Sequence, residues 1–147
     1  LQAALGISQM QRLDEFVAKR HILQKKYDLL LEDLPIIKPY QDKDSYSALH
    51  LYPIQIDLNS TKKSRKQVFN ELRKKNISVN VHYIPIYSHP YYEKFDFSNE
   101  ILPIAENYYN RAISIPLFSI MTSLQQNTVE QALLSIFKLN NKSETIL

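Results

Sequence analysis

The 147-residue sequence contains no cysteine, no tryptophan and a single glycine, Gly6. The absence of cysteine excludes disulfide bonds, thiolate metal ligands and cysteine nucleophiles within this chain. The scarcity of glycine argues against a phosphate-cradling loop, because such loops place glycine where backbone N–H groups approach a phosphate closely. A Walker or dinucleotide-binding loop is therefore not expected.

Long apolar runs and targeting signals are also missing from the sequence. No window approaches the roughly 20 apolar residues of a membrane-spanning helix, and no signal-peptide pattern opens the chain. With the lack of cysteine, this favours a cytoplasmic protein that has no membrane partner. The chain begins without methionine, inside a helical pattern, so we expect a fragment of a larger protein.

Hydrophobic periodicity predicts four helices separated by three strands. The first helix runs from Leu13, with apolar residues at three- and four-residue steps, and Pro35 prevents it from continuing far. Residues 35–47 are polar and contain a second proline, so we predict an irregular connection there. The strands are predicted at residues 48–58, 77–85 and 113–118, and the first two show the alternation typical of strands.

The remaining three helices have recognisable end signals. Residues 59–61 offer N-caps for a basic helix, which Asn76 can end because asparagine tolerates a left-handed turn. Pro103 suits the first turn of the third helix, which is predicted to reach about Ala112. The side chains of Thr122 and Gln125 match a capping box for the last helix.

These elements predict an α+β fold, in which a small three-stranded sheet is covered by helices. A hydrophobic content of 44% over 147 residues is sufficient for one domain with its own core. We assign this domain to residues 1–139. The polar residues 140–147 are predicted to form a fraying tail.

Most of the net charge of +3 comes from a basic segment, residues 62–75. Because Val68, Phe69 and Leu72 supply only a narrow apolar stripe, we interpret this segment as a helix with a solvated basic face. A nucleic-acid-binding domain is the alternative, and it predicts an affinity that falls steeply with salt. No RNP, KH or zinc-finger pattern accompanies the charges.

The stretch VNVHYIPIYSHPYY, residues 79–92, contains two histidines, four tyrosines and two prolines. The two histidines, His82 and His89, are seven residues apart and lack a zinc-binding pattern, so we expect no metal site. His82 could instead be a packing histidine that bonds a backbone group, or it could contact a ligand. A non-catalytic module that binds a small ligand is a further alternative.

Four segments, LQAALGISQMQRLDEF, HLYPIQI, VNVHYIPIYSHPYY and AISIPLFSIMTSLQQ, resemble in this order the C-terminal part of the DegT/StrS family of sugar aminotransferases. The resemblance covers about Leu1 to Leu139 and implies the small C-terminal domain of a fold-type I aminotransferase. Within the family, HLYPI and VHY are most similar to the transaminase of pseudaminic acid biosynthesis, which acts on a UDP-linked 4-keto-6-deoxy sugar.

The resemblance implies that the complete enzyme uses pyridoxal phosphate, takes the amino group from glutamate and forms a homodimer. The cofactor-binding residues belong to an N-terminal domain absent from this chain, so we expect the chain alone to be inactive. The residues matching Asn80, Val81, His82 and Tyr83 lie at the nucleotide-sugar site in the family. Their amide, backbone, imidazole and phenol groups suit a polar sugar.

Overall fold

A computed structural model of the chain describes residues 1–95 and 102–138. Five α-helices are present in this part of the chain: α1 (Gln2–Met10), α2 (Leu13–Leu30), α3 (Arg65–Lys74), α4 (Pro103–Tyr109) and α5 (Ser123–Lys138). Three strands accompany them: β1 (Ile36–Ile37), β2 (Tyr52–Ile56) and β3 (Ala112–Ile115). The predicted tail at residues 140–147 lies outside the described residues.

The strands form one antiparallel sheet in the order β1-β2-β3, with β2 in the centre. Tyr52 of β2 pairs with Ile115 of β3, and Ile54 pairs with Ile113. Every second side chain of β2 is buried, because successive residues of a strand point to opposite faces. The core joins this sheet to buried side chains of three helices: Leu23 and Tyr27 of α2, Val68 and Leu72 of α3, and Leu133 and Ile136 of α5. The predicted α+β architecture is confirmed.

The prediction of a strand at residues 77–85 is wrong. Ile77 and Val79 are buried, which explains the alternating pattern, but only Asn80 pairs with the sheet, through an isolated bridge to Ser114. The N–H of Val81 donates to the side chain of its neighbour, Asn80 Oδ1, at 2.8 Å. That local bond takes the next backbone donor away from strand pairing, so the ladder stops.

The third strand of the sheet is instead β1, which lies in the segment predicted to be irregular. Ile36 pairs with Ile56, and the Asp57 N–H donates to the Pro35 carbonyl at 2.9 Å. A two-residue strand between prolines has no period to detect, and only the neighbouring β2 makes its pairing possible.

Local end signals account for both ends of α3 and for the starts of α4 and α5. Asn76 has a φ of 59° directly after α3, Pro103 opens α4, and the Thr122–Gln125 capping box is formed with bonds of 2.9 and 3.2 Å. The predicted N-cap at residues 59–61 is wrong, because Ser64 caps α3 in a capping box with Gln67. Helix α4 ends before Ala112, which is the first residue of β3.

The helix predicted from Leu13 is α2, and the structure adds a helix before it, α1, that was not among the four predicted. Helix α1 buries none of its residues, and Leu5, Ile7 and Met10 are each more than 60% exposed. Helix α2 faces the core through Val17, Leu23 and Tyr27. Within residues 1–95 and 102–138, no helix combines the length and the apolar character that crossing a membrane requires.

Candidate functional site

The four predicted site residues, Asn80 to Tyr83, lie at the outer edge of the sheet. Asn80 is anchored to β3 by two backbone bonds with Ser114, of 2.8 and 3.2 Å, and the chain then leaves the sheet. Buried Val79 precedes this point, whereas Asn80 and Tyr83 are exposed and His82 is partly buried. A fixed backbone therefore presents several polar side chains in sequence.

His82 is the centre of this cluster. Its Nδ1 atom is 2.8 Å from Ser114 Oγ, and its Nε2 atom is 3.4 Å from Asn80 Nδ2. The Tyr83 ring meets the imidazole edge to face, with ring centroids 4.7 Å apart, and the His82–Tyr83 peptide bond is cis. The side chains of Asn80, His82 and Tyr83 thus form one contact group. Val81 contributes only its backbone N–H, which bonds Asn80.

Sequence analysis missed Ser114 as a member of this group. Ser114 is only 6% exposed, and it stands between Ile113 and Ile115 in β3. A single hydroxyl in a short strand of apolar residues is the signal that could have identified it, since buried polar side chains require a partner.

The segment that follows the cluster is aromatic and contacts α4 through Tyr87. The Tyr87 hydroxyl donates a hydrogen bond to the Glu106 carboxylate, and this bond raises the pKa of Tyr87 to about 12. Beyond it, Tyr91, Tyr92 and Phe95 form a surface group of rings, with Lys94 Nζ 4.1 Å from the Tyr91 ring centroid. The residues after His82 therefore continue the site as an aromatic surface.

Residues 1–134 match the DegT/DnrJ/EryC1/StrS aminotransferase family. The chain belongs to this family. Aminotransferases of the family depend on pyridoxal phosphate. The sheet-edge cluster thus lies in a domain from a group of cofactor-dependent transferases.

Two curated relatives and one solved structure illustrate the similarity. The spore coat polysaccharide biosynthesis protein SpsC of Bacillus subtilis is 36% identical over 141 residues, covering 94% of this chain and 36% of the relative. The UDP-4-amino-4,6-dideoxy-N-acetyl-beta-L-altrosamine transaminase of Campylobacter jejuni is 34% identical over 137 residues, covering 92% of this chain and 36% of that protein. The structure of Helicobacter pylori PseC, an aminotransferase involved in the biosynthesis of pseudoaminic acid, superposes with a TM-score of 0.83 and 28% identity over 94% of this chain and 37% of PseC. The chain spans little more than a third of the length of each.

The lysines of the described segments do not suit a covalent cofactor site. Each one whose side chain is described is exposed or partly exposed. Lys63 pairs with Glu71 at 2.6 Å, and Lys38 donates to the Asp28 carbonyl at 2.9 Å. A lysine that forms a Schiff base is held in a desolvated site, whereas these side chains reach solvent or bond to protein groups. The lysines whose side chains are described therefore do not fit the role of binding pyridoxal phosphate covalently.

A groove of about 880 Å³ lies at the opposite edge of the sheet, beside β1 and α5. Its polar lining includes Asp33, Asp57, Lys62 and Glu130. Because β1 and β3 form the two edges of the sheet, this groove is separate from the His82 cluster.

Across residues 1–95 and 102–138, no group of three or more histidine or acidic side chains could hold a metal ion.

The basic helix α3 has the narrow buried stripe expected from its sequence. Val68 and Leu72 are fully buried, and Phe69 packs partly against the core. Two of its surrounding cations have protein partners: Lys63 pairs with Glu71, and the Arg65 guanidinium lies 4.7 Å from the centroid of the Tyr109 ring. These contacts favour a structural surface over a nucleic-acid interface.

We therefore expect replacement of Lys66 and Lys74 with glutamine to change the free energy of unfolding by no more than about 0.5 kcal/mol, because both side chains are exposed. The matched variant Lys63→Gln should cost up to about 1 kcal/mol, because it breaks the ion pair with Glu71. Urea denaturation checks both values. A tight RNA affinity that falls steeply with salt and is lost in the Lys66 and Lys74 variant would contradict this interpretation.

Proposed function

We propose that this chain is the substrate-contacting part of an aminotransferase that transfers an amino group from glutamate to a UDP-linked 4-keto-6-deoxy sugar. The observation that carries the proposal is the hydrogen-bonded group of Asn80, His82 and Ser114 at a sheet edge, in a chain of the aminotransferase family. The substrate class is supported by the similarity to the altrosamine transaminase. Surface polysaccharide or flagellin glycosylation is the corresponding pathway.

The cofactor is proposed to reside in the remainder of the complete protein. When bound, pyridoxal phosphate supplies the electron sink for proton transfer at the amino-bearing carbon. The chain covers 36% of the length of SpsC, so the rest of such a protein is long enough to contain a cofactor-binding domain. The lysines described above do not fit the role of binding the cofactor covalently. A lysine in a cofactor-binding context elsewhere in the complete gene would distinguish this function from a non-catalytic binding module.

The role proposed for Asn80, Val81, His82 and Tyr83 is to orient the sugar. The imidazole and the exposed Tyr83 phenol can hydrogen-bond hydroxyl or amide groups, and the Tyr83 ring can pack on the apolar face of a sugar. Orientation matters because a reacting carbon held in position reacts far faster than one that must be captured from solution.

The partners follow from the same proposal. Glutamate and a UDP-sugar are the expected small-molecule partners, and we propose a homodimer for the complete enzyme. The exposed apolar residues of α1, Leu5, Ile7 and Met10, are compatible with burial against another part of that assembly. A cytoplasmic location remains a prediction.

The test uses the His82→Ala variant of the complete enzyme and separates the two half-reactions. Loss of one hydrogen bond should weaken binding of the keto sugar by about 0.5–1.5 kcal/mol, and the half-reaction with the sugar should slow. The half-reaction with glutamate should keep most of its rate, because the amino donor is handled elsewhere. Single-turnover rates with each substrate measure the difference.

The matched control is His89→Ala, which removes an exposed histidine from the same segment. It should leave both half-reactions and the melting temperature nearly unchanged. If His82→Ala instead lowers the melting temperature strongly and leaves the sugar affinity intact, His82 is a packing residue and its proposed role is wrong.

A further inference from the structure

Ser114 connects the backbone of the site to the imidazole of His82. Its backbone N–H and C=O bond Asn80 at 2.8 and 3.2 Å, and its Oγ lies 2.8 Å from His82 Nδ1. Neighbouring side chains of a strand point to opposite faces, so the hydroxyl points away from the core residues Ile113 and Ile115. Ser114 thus fixes the backbone at Asn80 and also bonds the His82 ring.

The orientation of the Asn80 amide determines which nitrogen of His82 carries the proton. Asn80 Oδ1 accepts from the Val81 N–H at 2.8 Å, and only the amide oxygen can accept this bond. The NH₂ group therefore faces His82 Nε2, at 3.4 Å. Two donors would repel each other at this contact, so Nε2 has to be the unprotonated nitrogen. The proton of a neutral His82 consequently lies on Nδ1, where Ser114 Oγ accepts it.

We propose that Asn80 and Ser114 are positioning residues: Asn80 keeps a neutral His82 in the Nδ1-protonated tautomer, and Ser114 holds the imidazole ring in place, so that Nε2 accepts a hydrogen bond from the sugar of the substrate. This inference rests on the proposed function and specifies the chemistry of its site. The contact of Nε2 with Asn80 is longer than an ordinary hydrogen bond of about 3 Å. A substrate hydroxyl or amide N–H can therefore form a better bond with Nε2 than Asn80 does.

The tautomer also determines which part of a nucleotide sugar His82 can face. An unprotonated Nε2 attracts hydroxyl and N–H groups, whereas it repels the oxygen atoms of a diphosphate, which are acceptors only. His82 should therefore discriminate on the sugar and contribute little to binding of the UDP group. Free UDP is the probe that separates these two contributions.

The tautomer is measured by nitrogen NMR on the complete enzyme with ¹⁵N-labelled histidine, using His82→Gln to assign the signals. The wild type should show a protonated Nδ1 and an unprotonated Nε2 for His82. Asn80→Asp, which presents an acceptor oxygen to Nε2 instead of an NH₂ group, should give His82 a protonated Nε2, while Ser114→Ala, which leaves the Asn80 amide in place, should preserve the wild-type pattern. A wild-type Nε2–H, or an unprotonated Nε2 in Asn80→Asp, would overturn the assignment irrespective of the enzyme's reaction.

Binding provides the functional arm, with UDP-4-amino-4,6-dideoxy-N-acetyl-beta-L-altrosamine and UDP as the two probes. Ser114→Ala should weaken binding of the amino sugar nucleotide about three- to tenfold, the range of one hydrogen bond, and leave UDP binding unchanged. Ser135→Ala is the matched control, because Ser135 Oγ donates a bond of 2.8 Å to Ala132 O within α5. It should change neither affinity.

Two other outcomes have distinct meanings. Equal weakening of both probes by Ser114→Ala would show that Ser114 supports the fold or the diphosphate, and the positioning role would be wrong. If the wild type binds neither probe, the proposed substrate is wrong, and the NMR result still decides whether Asn80 sets the tautomer of His82.

Discussion

Replacing Ile54 with alanine should lower the free energy of unfolding by about 2–5 kcal/mol, the cost of removing a large aliphatic side chain from a packed core. Ile54 is fully buried in the central strand β2, directly opposite Ile113 of β3. The cavity would lie beneath the strand that carries Ser114, so a weakened sheet should also loosen the anchor of the His82 segment. Urea denaturation followed by circular dichroism measures the loss.

The control for this variant is Ile22→Ala, which deletes the same atoms from an exposed position. Ile22 is 67% exposed on α2, so its substitution should change stability by no more than about 0.5 kcal/mol. A similar cost at both positions would show that β2 is not the centre of the core.

Replacing Tyr52 with phenylalanine should cost about 1.5–3 kcal/mol, the range for a hydrogen bond to a charged group. Tyr52 is fully buried, and its hydroxyl donates to the carboxylate of Asp28 on α2. Gln24 donates to the other carboxylate oxygen, so the variant leaves Asp28 with one bond fewer in a partly buried position. The unfolding free energy of the two proteins at pH 7 checks this value.

Tyr40→Phe is the matched control, because it removes the same kind of bond at the surface. The Tyr40 hydroxyl donates to Asp42 Oδ2 at 3.2 Å, but the residue is 83% exposed. Water replaces the lost partner there, and the change should be close to zero. An equal loss in both variants would contradict a special contribution from the buried bond.

Alkaline pH provides a second measurement on the Tyr52→Phe variant. Burial, followed by the bond to Asp28, raises the pKa of Tyr52 well above its usual value, and burial also raises the pKa of Tyr27. The unfolded chain therefore loses these protons first, and stability that is complete below about pH 10 falls as the pH rises further. In the Tyr52→Phe variant, the free energy of unfolding should fall less steeply above pH 10. If the unfolding free energy of the two proteins falls in parallel above pH 10, Tyr52 does not contribute to this pH dependence.

Features that depend on a few neighbouring residues were predictable from the sequence. The left-handed residue Asn76, the opening proline of α4 and the Thr122–Gln125 capping box each follow from the conformational preference or side-chain reach of residues within one helical turn. The α+β composition followed from hydrophobic periodicity. The Ser64 cap has the same local chemistry, but Asn59, Ser60 and Thr61 also have side chains that suit an N-cap and come earlier in the chain.

The sequence by itself determined the family resemblance, the fold class and the segment that contains the candidate site, because these reside in local patterns and in the order of motifs. Tertiary structure alone decided the pairing of β1, the end of the sheet at Asn80 and the contact between His82 and Ser114, which are 32 residues apart. A strand pairs according to what lies beside it, and a histidine takes the tautomer that its neighbours can bond. Neither property belongs to a single segment of the chain, so both arise only when the sheet assembles.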